Sequence, residues 1–141
     1  MTNRTSFSYG KNLAILARLQ QLKNRAQPVT TLYGIKNCDT VKKARKWLDQ
    51  QGADYQFHDF RETPITQRQV KAWIEQLGWD TVVNKRSTSW KQLSEEQRNS
   101  MNESSAIAAI MENPTLVKRP LLDRDGEFSV GFNASTYQDI F

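Results

Sequence analysis

Residues 31–60 read as strand, helix, strand, and that order constrains the fold more than anything else in the chain. Thr31-Leu-Tyr-Gly-Ile35 is a short apolar strand. Asp39 to Gln51 has helical periodicity: Val41, Ala44 and Leu48 share one face, and Lys42, Lys43, Arg45 and Lys46 cover the rest. Gly52 ends it. Asp54 to Phe60 alternates, with Tyr55, Phe57 and Asp59 on one side, as a second strand would. A helical connection of this length between two strands demands a parallel pair and a right-handed crossover.

A helical middle follows. Thr66 with Gln69 forms a capping-box signature ahead of Val70, Trp73, Ile74 and Leu77, and Gly78 closes that segment. Ser94 with Gln97 is a second such signature. A third helix runs from about Ser104 to Glu112 and stops before Pro114. Leu121–Asp123 and Glu127–Phe132 flank Asp125-Gly126, a hairpin signal. Asn133 caps a last helix bearing Tyr137 and Ile140. The expected fold is therefore α/β: a thioredoxin-like mixed sheet with a helical insertion, occupying residues 30–141.

Charge separates that domain from what precedes it. Residues 1–29 contain Arg4, Lys11, Arg18, Lys23 and Arg25 but no acid, whereas residues 30–141 carry 15 basic and 15 acidic side chains. The formal net charge of +5 thus belongs to a basic N-terminal extension. In it Leu13, Leu16, Leu19 and Leu22 sketch a short amphipathic helix ending near Pro28. Nucleic-acid binding by the domain loses its electrostatic basis. No apolar run is long enough to span a bilayer. A single cysteine excludes an internal disulfide and a thiolate metal cluster, so a reducing, cytoplasmic setting without a bound metal is expected.

That cysteine, Cys38, falls between the first strand and the helix opening at Asp39. Unpaired N–H groups and the positive end of the helix dipole favour a thiolate at such a position. Lys36 and Lys42 add positive charge nearby, and Lys36 is a candidate anion contact together with Arg119 and Arg86. The alternative is a small buried hydrophobe, against which stand the polar neighbours Lys36, Asn37, Asp39 and Thr40. Lys118-Arg-Pro120 is a second candidate element. Pro120 is positioned for a cis peptide bond, and Arg119 presents either a fork for an oxyanion or carboxylate or an ordinary surface arginine. Arg86, in the basic loop 84–88, is an anion contact or part of a solvated loop. His58 and the four tryptophans read as packing residues.

At Leu32-Tyr-Gly-Ile-Lys-Asn-Cys-Asp-Thr40 and Lys118-Arg-Pro-Leu-Leu122 the chain resembles the arsenate reductase-like (ArsC) family, and most its YffB-type branch. The likeness runs from Thr30 to the C-terminus. It implies a nucleophilic Cys38, an anion site at Arg119 beside a cis Pro120, and glutathione and glutaredoxin as reductants. Glutaredoxin-coupled arsenate reductases of this family carry a histidine four residues before the cysteine, where this chain has Gly34. Two further family arginines align near Asn84, with Arg86 as a substitute two positions on, and near Asn133. The Spx branch, which binds RNA polymerase, carries a Cys-x-x-Cys switch; here Val41 stands at the second cysteine. The expected function is a glutathione-dependent thiol–disulfide reductase using one nucleophilic cysteine. The alternatives are a glutaredoxin-coupled arsenate reductase and a non-catalytic Spx-like regulator that binds RNA polymerase.

Overall fold

The computed structural model describes residues 29–141. The N-terminal extension expected at 1–29 lies outside the described residues, Val29 excepted. The chain begins with β1 (Thr30–Gly34), α1 (Asp39–Gln50) and β2 (Gln56–Asp59). The middle holds α2 (Gln67–Leu77), α3 (Trp79–Val82), α4 (Thr88–Lys91), α5 (Glu95–Asn99), α6 (Glu103–Glu112) and a 3-10 turn at Pro114–Leu116. β3 (Leu121–Arg124), β4 (Glu127–Val130) and α7 (Ala134–Ile140) complete it.

β1 is central. It pairs in parallel with β2 and antiparallel with β3, and β3 pairs antiparallel with β4, giving the order β2-β1-β3-β4. Alternation along β1 then builds two cores. Leu32 faces Ala44 and Leu48 of α1 and Tyr137 of α7. Tyr33 faces Val70, Trp73 and Ile74 of α2 and Ile110 of α6. Leu122 and Leu121, paired with those two residues, repeat the division. Helices thus cover both faces of a mixed four-stranded sheet, a thioredoxin-like arrangement with the helical insertion between its halves. No described helix is long and apolar enough to cross a membrane.

Local chemistry sets the element ends. Both capping boxes are closed reciprocally, Thr66 with Gln69 and Ser94 with Gln97. A third, Asn102 with Ser105, starts α6 at Glu103. Asp125 and Gly126 both have positive φ, 53° and 88°, the geometry a two-residue type I′ hairpin requires. β4 stops at Val130, short of Phe132, because Gly131 turns the chain at φ 80°. β2 is shorter than its alternation predicts. Tyr55 lies ahead of it, and its hydroxyl donates to Asp49 of α1. One-turn helices such as α3 and α4 are too short to leave a periodic signal.

β1 and α1 approach closely at Gly34. A Cβ on Gly34 would meet Val41 Cγ2 at 2.7 Å and Cγ1 at 3.2 Å. Val41 is fully buried and β-branched, so it has little freedom to yield. Gly34→Ala should therefore lower unfolding free energy by roughly 1–3 kcal/mol, the usual cost of overpacking. Urea denaturation of the two proteins measures it; equal midpoints would show that α1 can shift away.

Candidate functional site

Cys38 is the N-cap residue of α1, in extended conformation at φ −86° and ψ 124°. Its N–H donates to Ile35 O at 3.2 Å, and its carbonyl accepts the first helical bond, from Lys42 N–H at 3.0 Å. The side chain makes no capping hydrogen bond, so the sulfur is not committed to the helix. It is half-buried and packs on the core beneath α2 and α6. The site therefore combines features of both sequence readings: the sulfur rests on apolar groups and still reaches the surface.

The loop from β1 to Cys38 is held from below by Asp59, the last residue of β2. Its Oδ2 accepts from Lys36 N–H at 3.1 Å and its Oδ1 from Arg61 N–H at 2.8 Å. Its backbone carbonyl accepts from Glu62 and Thr63. Burial alone would push the carboxyl up. The backbone donors of Arg61, Lys36 and Glu62, with the charge of Lys36, outweigh burial and hold it below its ordinary value. The carboxylate form is thus the one that anchors the cysteine loop.

Lys36 does not line the depression that Arg86 and Arg119 share, and it is paired elsewhere. Its Nζ lies 2.6 Å from Glu62 Oε1, so its charge is compensated on the side of β2. The pairing raises the ammonium above its usual value. The partner carboxylate is 26 residues away and invisible to local spacing.

Arg86 and Arg119 come together. Val83 and Val117 form an isolated antiparallel bridge, fastened by Asn84 N–H to Leu116 O at 2.7 Å and Lys118 N–H to Val82 O at 2.8 Å. The bridge lays loop 84–87 beside Lys118-Arg119, and Asn84 Oδ1 turns the loop by accepting from Arg86 N–H. The result is an open depression of about 520 Å³, lined by Arg86 and Arg119 with Lys85, Lys118, Asp80 and Thr40. Thr40 belongs to the first turn of α1, two residues past Cys38. Arg119 is half-buried and donates through Nη1 to Thr115 O at 3.0 Å. Its Nε is buried without a partner among the described residues. The Arg119–Pro120 peptide bond is cis, and Pro120 O accepts from Gly131 N–H.

Among the described residues only Lys36–Glu62 and Lys71–Glu75 form ion pairs, so the four cations of the depression face no pairing carboxylate. Lys85 instead sits over two indoles, 5.1 Å from the Trp79 centroid and 5.9 Å from that of Trp90. The positions that align with the two further arginines are occupied structurally. Asn84 holds the Arg86 turn, and Asn133 caps α7 by accepting from Ser135 and Thr136. No group of three or more His, Cys, Asp or Glu among the described residues is placed to hold a metal.

Residues 33–140 match the ArsC family. The chain belongs to that family. An uncharacterised protein of Haemophilus influenzae is 46% identical over 111 residues, covering 79% of this chain and 97% of that one. The structure of the YffB (PA3664) protein is 39% identical at a TM-score of 0.76, covering 79% and 97%. An arsenate reductase (ArsC) related protein from Brucella melitensis is 38% identical at a TM-score of 0.67, covering 79% and 92%. The global transcriptional regulator Spx of Lactiplantibacillus plantarum is 27% identical over 105 residues, covering 72% and 78%.

Within this site, sequence reasoning singled out neither Asp59 nor Asp80, passed over Lys85, and took Lys118 only as part of the Lys118-Arg-Pro120 element. The last two flank residues it did select, and their adjacency was the available signal. Asp59 offered none, since a polar residue in strand alternation reads as a sheet edge. Asp59→Asn should lower the thermal midpoint by a few degrees at pH 7. A carboxyl held below its unfolded value adds stability that is complete above that value and lost as pH falls through the folded one. Wild type should therefore lose this part of its stability from about pH 4 downward, while the variant shows a flatter acid limb. Melting curves from pH 7 to pH 3 test this, and parallel curves would free Asp59 of the role.

Proposed function

We propose that this protein is a glutathione-dependent thiol–disulfide reductase working through Cys38 alone. The reading rests on one conjunction: the chain's only cysteine opens a helix beside a cation-lined depression that contains Arg86 and Arg119. The Cys38 thiolate attacks the glutathione sulfur of a mixed disulfide R–S–S–G. The Cys38–SG bond forms as the R–S bond to that sulfur breaks, and R–S⁻ leaves and takes up a proton. A second glutathione thiolate then attacks the glutathionyl sulfur, releasing oxidised glutathione and returning the Cys38 thiolate. One disulfide is reduced and two glutathiones are joined, so electrons balance. With no second thiol in the chain, the resolving step must come from outside. Arg119, which lines the depression, grips a carboxylate of glutathione through its guanidinium.

Arsenate reduction is the second reading, favoured by the same cation cluster, since an inorganic oxyanion also needs concentrated positive charge. Asn84 and Asn133, which cap backbone rather than offer cations, weigh against it. A regulatory role of the Spx kind would not need the thiol.

Incubation with oxidised glutathione should give an adduct on Cys38 by intact-mass spectrometry, absent from Cys38→Ser and reversed by reduced glutathione. No adduct, with arsenate turnover in its place, would move the protein to the second reading. Neither reaction would favour the regulator.

Arg119→Ala should weaken glutathione binding by about tenfold or more, from roughly 1.5–3 kcal/mol for a hydrogen bond to a charged group. Arg119→Lys should weaken it less, keeping charge but losing the fork. Alkylation of Cys38 by a neutral reagent should stay near wild type in both, since the helix end remains in place. Equal loss in binding and alkylation would remove Arg119 from the substrate site.

A further inference from the structure

The depression beside Cys38 is not uniformly basic. Asp80 lines it together with Lys85, Arg86, Lys118 and Arg119. Asp80 is exposed, and it forms no ion pair with any of those four cations. A carboxylate among four cations would ordinarily collapse onto one of them. Two of the cations have other neighbours: Lys85 rests on Trp79 and Trp90, and Arg119 is tied to Thr115 O. As an acid in a first helical turn Asp80 also favours its own helix, but α3 has only four residues and little dipole to answer. Both signs of charge thus line one cavity without pairing with each other.

We infer that the depression is a zwitterion site that receives the γ-glutamyl head of glutathione, with Asp80 binding its ammonium and the arginines its α-carboxylate. This deepens the glutathione reading and rests on it. The head group carries an ammonium and a carboxylate on one carbon, which matches a wall offering both partners. The glycine end offers only a carboxylate. An inorganic oxyanion offers only negative charge, which Asp80 repels. Asp80 therefore acts as a specificity residue, selecting an amino-acid head over a bare anion and directing the peptide along Thr40 toward Cys38.

The probes are S-methylglutathione, which cannot react at sulfur, its deamino analogue S-methyl-glutaryl-cysteinylglycine, and inorganic phosphate. Each is titrated calorimetrically into the full chain. Wild type should prefer S-methylglutathione to the deamino analogue by roughly 1.5- to fivefold, the range of an exposed ion pair. Asp80→Asn should erase that preference by weakening S-methylglutathione alone, with phosphate bound equally or more tightly. Equal wild-type affinity for the two peptides overturns the inference and leaves the glutathione reading standing. So does a preference that survives in Asp80→Asn, or a variant that weakens all three probes alike. If neither peptide binds and oxidised glutathione leaves no adduct on Cys38, the glutathione reading fails and takes the inference with it.

Discussion

The contact between Gly34 and Val41 governs how the rest of the molecule is placed. α1 can lie against β1 only as closely as the residue at 34 permits, and a bare Cα there lets the Val41 methyls descend onto the strand. That closeness sets the first turn of α1 relative to the end of β1. Cys38 is the hinge between them, so the position of its sulfur follows from the absence of a side chain four residues earlier. Any side chain at 34 would first have to displace the Val41 methyls.

The site is then assembled from three long-range ties, each made by backbone or buried polar groups. The Asp59 carboxylate fixes the loop ahead of Cys38. The Val83–Val117 bridge carries the 84–87 loop across to Lys118-Arg119. Pro120 O, bonded to Gly131 N–H, joins the start of β3 to the end of β4. Although residues 30–141 balance in formal charge, these ties gather four cations onto one small surface. Local field rather than net charge is what an anionic ligand meets.

What sequence reveals here follows the range of the interactions. The crossover, the Thr66 and Ser94 caps and the Asp125-Gly126 turn are encoded within a few residues and could be read directly. Cys38 could be read too, because a helix start and a lone thiol are both local signals. The pairing of Lys36 with Glu62 could not, nor the anchoring by Asp59. Each depends on a partner brought in by sheet register, in which Gly34 pairs with Asp59. The one-turn helices α3 and α4 likewise take their shape from the Val83–Val117 bridge and from Ser87, which caps α4, rather than from a repeating apolar face. Arg86 could be singled out from composition, but its convergence with Arg119 required knowing that bridge.

Lys85, resting over Trp79 and Trp90, gives the depression an optical consequence. An indole's emission responds to a positive charge held against its face, and these two indoles share one ammonium. A ligand carboxylate that draws Lys85 inward lifts the charge off both rings at once. A ligand that moved Lys85 in this way would change the emission of both indoles together. Trp73 lies in one core and Trp47 packs against the other, and among the described residues neither has a cation over its ring.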